Sequence, residues 1–144
     1  MQVDFYQLTR DPADKLLPAI AQRVMDQGER LLIVSAELAQ LSLISSSLWN
    51  WKPDSFLAHA MVGHGNAEQP ILLSDTAEPV NGARFVAIAD GQWRDSALTF
   101  ERIFYLFTPH QANSAREAWR ALGGDGAVDR RYWKQEGSKW VQGP

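Results

Sequence analysis

Arg116, Trp119 and Arg120 are the residues whose types and spacing suit recognition chemistry, and all three fall in the stretch Thr108 to Gly124, TPHQANSAREAWRALGG. At about 100° per residue, Ala112, Arg116, Trp119 and Arg120 share one helical sector, while Ala115, Ala118 and Leu122 share the neighbouring one. The ring is thereby placed between a core-facing stripe and two cations. Such a patch suits capture of an acidic chain end, because Arg forks bind carboxylates bidentately and a ring beside them walls a slot for an apolar side chain. The same spacing also describes a solvated arginine face with a half-buried ring. The helix ends are marked. Thr108 is a candidate N-cap, Pro109 fits the first helical position and Gln111 completes a capping-box spacing, while Gly123-Gly124 permits a left-handed stop.

Other chemistry is sparse, and no catalytic residue, metal ligand or cofactor is assigned. Gly63-His64-Gly65 lacks the third glycine of a dinucleotide fingerprint. There is no G-x-x-x-x-G-K-[ST], no G-x-S-x-G and no cysteine nucleophile. His59 and His64 have a spacing that no common zinc motif uses, and His110 is distant. Asp90 and Asp95 offer two carboxylates in what reads as a surface loop without a nearby proton partner.

With 144 residues, 45% hydrophobic content and no cysteine, the chain has the size of one domain, residues 1–144, able to bury about two-thirds of its unfolded surface. Disulfides and thiolate metal sites are excluded. No basic and apolar leader opens the sequence, and no apolar run approaches the roughly 20 residues of a membrane span, so the expectation is a soluble, cytoplasmic protein without a membrane partner. The formal charge is -3, which disfavours direct binding to phosphate backbones. From His110 to Pro144 six Lys/Arg face four Asp/Glu, against eight and thirteen before it. The C-terminal quarter is the basic side of an acidic protein, suited to an acidic peptide more than to DNA.

The elements that must position these residues alternate. Val3 to Leu8 reads as a strand. A helix with Leu16, Leu17, Ile20, Ala21 and Val24 ends at Gly28, and its start lies either at Asp11-Pro12 or near Pro18, which would break a helix interior. Arg30 to Val34 reads as a strand buried on both faces, and Ala36 to Trp49 as a helix with Leu38, Leu41, Ser45 and Leu48 on one face. Further strands are expected at Phe56 to Met61, Ile71 to Leu73, Phe85 to Ala89 and Arg102 to Phe107. Asp129 to Gln135 and Lys139 to Gln142 can pair as a hairpin or stay an extended tail. The expected fold is a three-layer, Rossmann-like α/β domain, its sheet mostly parallel with helices on both faces.

Taken in order, several segments carry a resemblance. They are Phe5-Tyr6; Gly28-Glu29-Arg30-Leu31-Leu32-Ile33; Leu48-Trp49 with Ser55-Phe56 and His59; Phe100-Glu101-Arg102; and Ala115-Arg116-Glu117-Ala118-Trp119-Arg120. The chain resembles the chi subunit family of the bacterial DNA polymerase III holoenzyme, accessory proteins of the clamp loader. The resemblance implies a non-catalytic protein of DNA replication with two partner faces, touching DNA only indirectly. One face, at Arg116, Trp119 and Arg120, would receive the acidic C-terminal tail of single-stranded DNA-binding protein. The other, at Trp49 and Phe56, would bind the small psi subunit or a helicase-like competitor. Ala112 departs from the family pattern, in which a basic residue can stand there. Ala58 stands where proline is common, Trp51 is an added aromatic, and the segment Arg130 to Pro144 is longer and more basic than the endings of the best-known members. A second reading, a small nucleotide-binding α/β enzyme, rests only on the strand-helix-strand start and the Gly63 to Gly65 loop.

Overall fold

Runs such as LLIV and ILLS, buried at every position, can be stable only where a sheet is covered on both sides. The computed structural model describes residues 1–51, 57–62, 69–124, 126–136 and 139–143. Its elements are Gln2–Gln7 (β1), Ala13–Asp26 (α1), Leu31–Val34 (β2), Leu38–Trp49 (α2), His59–Met61 (β3), Ile71–Ser74 (β4), Phe85–Ile88 (β5), Arg102–Phe107 (β6), Ala112–Gly123 (α3), Asp129–Glu136 (β7) and Lys139–Gln142 (β8). Short 3-10 turns occupy Asp95–Thr99 and Pro109–Gln111.

Among the described residues the eight strands form one sheet in the order β3-β4-β2-β5-β6-β1-β7-β8. Every pairing is parallel except the terminal β7–β8 hairpin. Side chains alternate across it. Tyr6, Leu31, Ile33, Phe104 and Leu106 join Leu17, Ile20 and Val24 of α1 and Leu41, Ile44 and Leu48 of α2 in one core. Phe5, Leu32, Val34, Ile103, Tyr105 and Phe107 join Ala115, Ala118 and Leu122 of α3 in the other. This is the expected three-layer α/β arrangement, with β2 and β5 interior.

Four readings are decided or changed in detail. Pro18 lies inside α1, and Pro12, in extended conformation, is the cap. Ala13, Leu17, Ile20, Ala21 and Val24 bury one continuous stripe, and that burial outweighs the backbone bond lost at the proline. The buried face of α2 is Leu41, Ile44 and Leu48, whereas Leu38, in its first turn, is 70% exposed. Gly28 takes the left-handed stop at φ 72, but Gly123 and Gly124 do not, Gly124 being right-handed at φ -84. Gly123 instead leaves room: a Cβ there would lie 2.9 Å from Arg130 Nη1.

The fourth change concerns Asp90, read as a surface carboxylate and found 8% exposed. It receives Arg94 bidentately at 2.9 and 2.7 Å and the N–H of Ala36 at 2.9 Å. The ion-pair spacing is i, i+4. Burial pushes its carboxyl up, but the Arg94 guanidinium and the N–H groups of Ala36 and Gln92 more than reverse this and hold it below the usual value.

Candidate functional site: a cationic, ring-walled groove

Three parallel strands, β6-β1-β7, end together beside α3, the position at which open α/β sheets leave a crevice. A groove of about 530 Å³ lies there, lined by Gln7 from β1, Phe107 from β6, Ala112, Arg116 and Trp119 from α3, and Tyr132 and Lys134 from β7, with Pro109 and Ala115 completing it. No carboxylate is among these residues. Arg116 and Lys134 are the two cations that face this groove among the described residues.

The helix that presents Arg116 and Trp119 starts as its sequence implies. Gln111 Oε1 accepts the Thr108 N–H at 2.9 Å, and Gln111 Nε2 donates to the Asp90 carbonyl at 2.7 Å, so the cap also ties α3 to the end of β5. Ala115, Ala118 and Leu122 are buried, which turns Arg116 outward, its Nη1 donating to Asn113 Oδ1 at 3.0 Å. Trp119 is half-buried. Its ring stands edge-on to Phe5 at 5.1 Å and to Tyr132 at 6.1 Å. Over it lies the guanidinium of Arg130, 4.2 Å from the ring centroid. Tyr132 donates its hydroxyl to Gln7 Oε1. Burial raises the Tyr132 pKa while the charge of Arg116 pulls it down in part, so the cation is felt across the groove.

Of the residues expected at this site, Arg116 and Trp119 line the groove together. Arg120 does not; it is exposed one turn further along α3. Tyr132, Lys134, Gln7 and Arg130 were not singled out from the sequence. Period-2 alternation in DRRYWKQE does place Tyr132 and Lys134 on one face, but nothing local reveals that this strand pairs with β1, more than a hundred residues away.

The second expected face lies on α2. Trp49 is 53% exposed, its ring 4.6 Å from that of His59; Phe56 lies outside the described residues, as do His64 and the Gly63 to Gly65 loop. The helix LAQLSLISSSLW carries no charge, and Leu38 and Leu43 are exposed with Trp49. His59 is fixed beneath it. Its Nδ1–H donates to the Leu57 carbonyl at 2.8 Å, and Nε2 lies 2.8 Å from Ser45 Oγ. Among the described residues no group of three or more His, Cys, Asp or Glu is placed to hold a metal, and no helix is long and apolar enough to cross a membrane.

Fold and groove together define a doubly wound α/β protein with a cationic, ring-lined cleft at the carboxyl ends of its strands. The chain belongs to the family described as DNA polymerase III chi subunit, HolC, whose model matches residues 1–130. That family makes it an accessory subunit of the replicative polymerase. No curated protein matches the chain.

Proposed function

We propose that this protein is a non-catalytic subunit that links the clamp-loader complex to single-stranded DNA-binding protein by holding the acidic C-terminal tail of the latter. The observation that carries this reading is the groove itself. Arg116 and Lys134 are its only charged lining residues among those described, and Phe107, Trp119 and Tyr132 are its rings. An acidic peptide ending in an aromatic residue has the complementary features: carboxylates for the guanidinium fork and a ring for the slot beside Trp119. Arg120, one turn on, meets acidic residues upstream of the terminus. A flexible peptide loses conformational freedom on docking, so the affinity is on the order of micromolar.

The uncharged face of α2 is the second docking surface in this reading, taking the psi subunit or a helicase-like competitor at Trp49 and Phe56. An exposed tryptophan on a chargeless helix supports it, since interface anchors are enriched in Trp and depleted in charge. The test of the tail site is a titration of the protein with a labelled acidic peptide ending in phenylalanine, and with the same peptide lacking that residue. The full peptide should bind, and the shortened one should bind more weakly even at high salt, since the lost contact is burial and not charge. Equal binding of the two peptides would remove the slot from the account.

A further inference from the structure

Residues 131–144 lie beyond the span that matches the family, yet their described part is built into the sheet as most of β7 and all of β8 and is tied to the β1–α1 corner. Gln135 is buried, and its Oε1 accepts the N–H of Arg10 at 3.1 Å and of Asp11 at 3.3 Å, while its Nε2 donates to Asp11 Oδ2 at 2.9 Å. Thr9 Oγ1 donates to its carbonyl at 2.8 Å. Trp133 donates from Nε1 to the buried Asp4 at 3.3 Å, and Trp140 stands edge-on to Tyr6 at 5.2 Å. These contacts pin the α1 side of the hairpin. The opposite side is left to the groove: Tyr132 is in register with Phe5 and Lys134 with Gln7, and both line it across from Arg116 and Ala112.

Resting on the reading of the groove as a tail site, we propose that the β7–β8 hairpin is its second wall, and that Lys134 is a specificity residue that supplies a carboxylate-binding cation from the wall opposite Arg116 and the uncharged Ala112. Three things favour this. Lys134 is exposed and forms no ion pair among the described residues, so no described carboxylate competes with a peptide for it. Its strand is anchored on the far face, so little ordering is left for the peptide to drive. Finally, a cation on each wall lets one acidic chain be gripped from both sides, which a single helix face does not permit.

The experiment is fluorescence anisotropy with a labelled acidic, phenylalanine-ended peptide at about 0.05 and about 0.5 M salt, spanning Debye lengths from above 10 Å to a few ångströms. The proteins are wild type, Arg116→Glu, Lys134→Gln, Lys134→Glu and the double variant Lys134→Gln with Ala112→Lys. At low salt Lys134→Gln should weaken binding about threefold and Lys134→Glu about tenfold, deletion removing an exposed attraction and reversal adding repulsion. The double variant should recover most of the loss, and the differences should shrink at high salt. Thermal unfolding midpoints of the Lys134 variants should match wild type, because the side chain is exposed. If Lys134→Glu binds like wild type while Arg116→Glu does not, the hairpin inference falls and the tail reading stands. A loss that is equal at both salts also overturns the inference. If wild type itself does not bind, both readings fall together.

Discussion

The guanidinium of Arg130 sits 4.2 Å above the Trp119 ring and donates to the Trp119 carbonyl, so the cation that holds this ring comes from β7 and not from its own helix. Gly123 makes the approach possible by having no side chain where the guanidinium lies. Trp119 is thereby held between the cation on one side and Phe5 and Tyr132 on others, which sets the wall of the groove before any partner arrives.

Arg130→Ala should therefore loosen Trp119 and expose it. A cation over a ring contributes about 0.5–2 kcal/mol, and a hydrogen bond from a charged donor about as much again. The expected loss of stability in urea unfolding is about 2 kcal/mol, with a change in tryptophan fluorescence. Arg130→Lys should keep part of the charge effect and lose the fork. Unchanged stability and fluorescence in Arg130→Ala would show that the stack contributes nothing.

Much of this was legible in the sequence, for local reasons. Short apolar runs announced β2, β4, β5 and β6, and the Ala115, Ala118, Leu122 stripe announced the buried face of α3. Helical phase alone put Arg116 and Trp119 on one flank. What escaped was non-local. Arg116 and Arg120 are visible beside Trp119 from helical phase alone, whereas Arg130 reaches the ring only through the parallel pairing of β7 with β1. Asp90 was read as a loop carboxylate although Arg94 stood at ion-pair spacing, because loop composition says nothing of burial. Pro18 was weighed as a helix breaker, and tertiary burial of α1 overrode it.

Gly91 carries a sharper prediction. Its φ is 74, and a Cβ there would lie 1.9 Å from Gln111 Oε1. The left-handed backbone disfavours a side chain by about 1–2 kcal/mol, and displacing Gln111 disrupts the α3 cap for about 1 kcal/mol more. Gly91→Ala should lose about 2–3 kcal/mol by chemical denaturation. A loss below about 0.5 kcal/mol would mean that neither constraint operates.

The Asp90–Arg94 pair predicts pH dependence. Because the folded pKa of Asp90 lies below its ordinary value of 3.8, its stabilisation is present above that value and is lost as pH falls through the lower folded one. Asp90→Asn should flatten the stability profile between about pH 5 and about pH 2. Arg94→Ala leaves a carboxylate buried without its cation and should cost about 3 kcal/mol at neutral pH. On the alkaline side, burial pushes Tyr105 up to about 12, its hydroxyl donating to the Gly91 carbonyl at 2.8 Å. That contribution is full below pH 10, the unfolded value, and fades as pH rises towards 12. Tyr105→Phe should lack this alkaline loss. A mutant profile parallel to wild type in either window would contradict the assignment.

On the α2 face, Trp49→Ala should weaken association with a polymerase-complex partner by about 2 kcal/mol or more while changing stability less, because the residue is 53% exposed. Surface plasmon resonance against the purified psi subunit, with a melting curve for each protein, separates the two effects. An unaltered affinity, or a variant that unfolds, would remove Trp49 as the anchor.

The central claim, that the groove beside α3 binds an acidic tail through charge and burial together, is met most directly by calorimetry. Wild type and Arg116→Glu are titrated with an acidic, phenylalanine-ended peptide at two salt concentrations. The account predicts wild-type affinity on the order of micromolar that weakens as salt rises, and a loss in Arg116→Glu of about tenfold or more at low salt, larger than that in Arg116→Ala. Equal affinities for wild type and Arg116→Glu, or no heat from wild type at low salt, would contradict it.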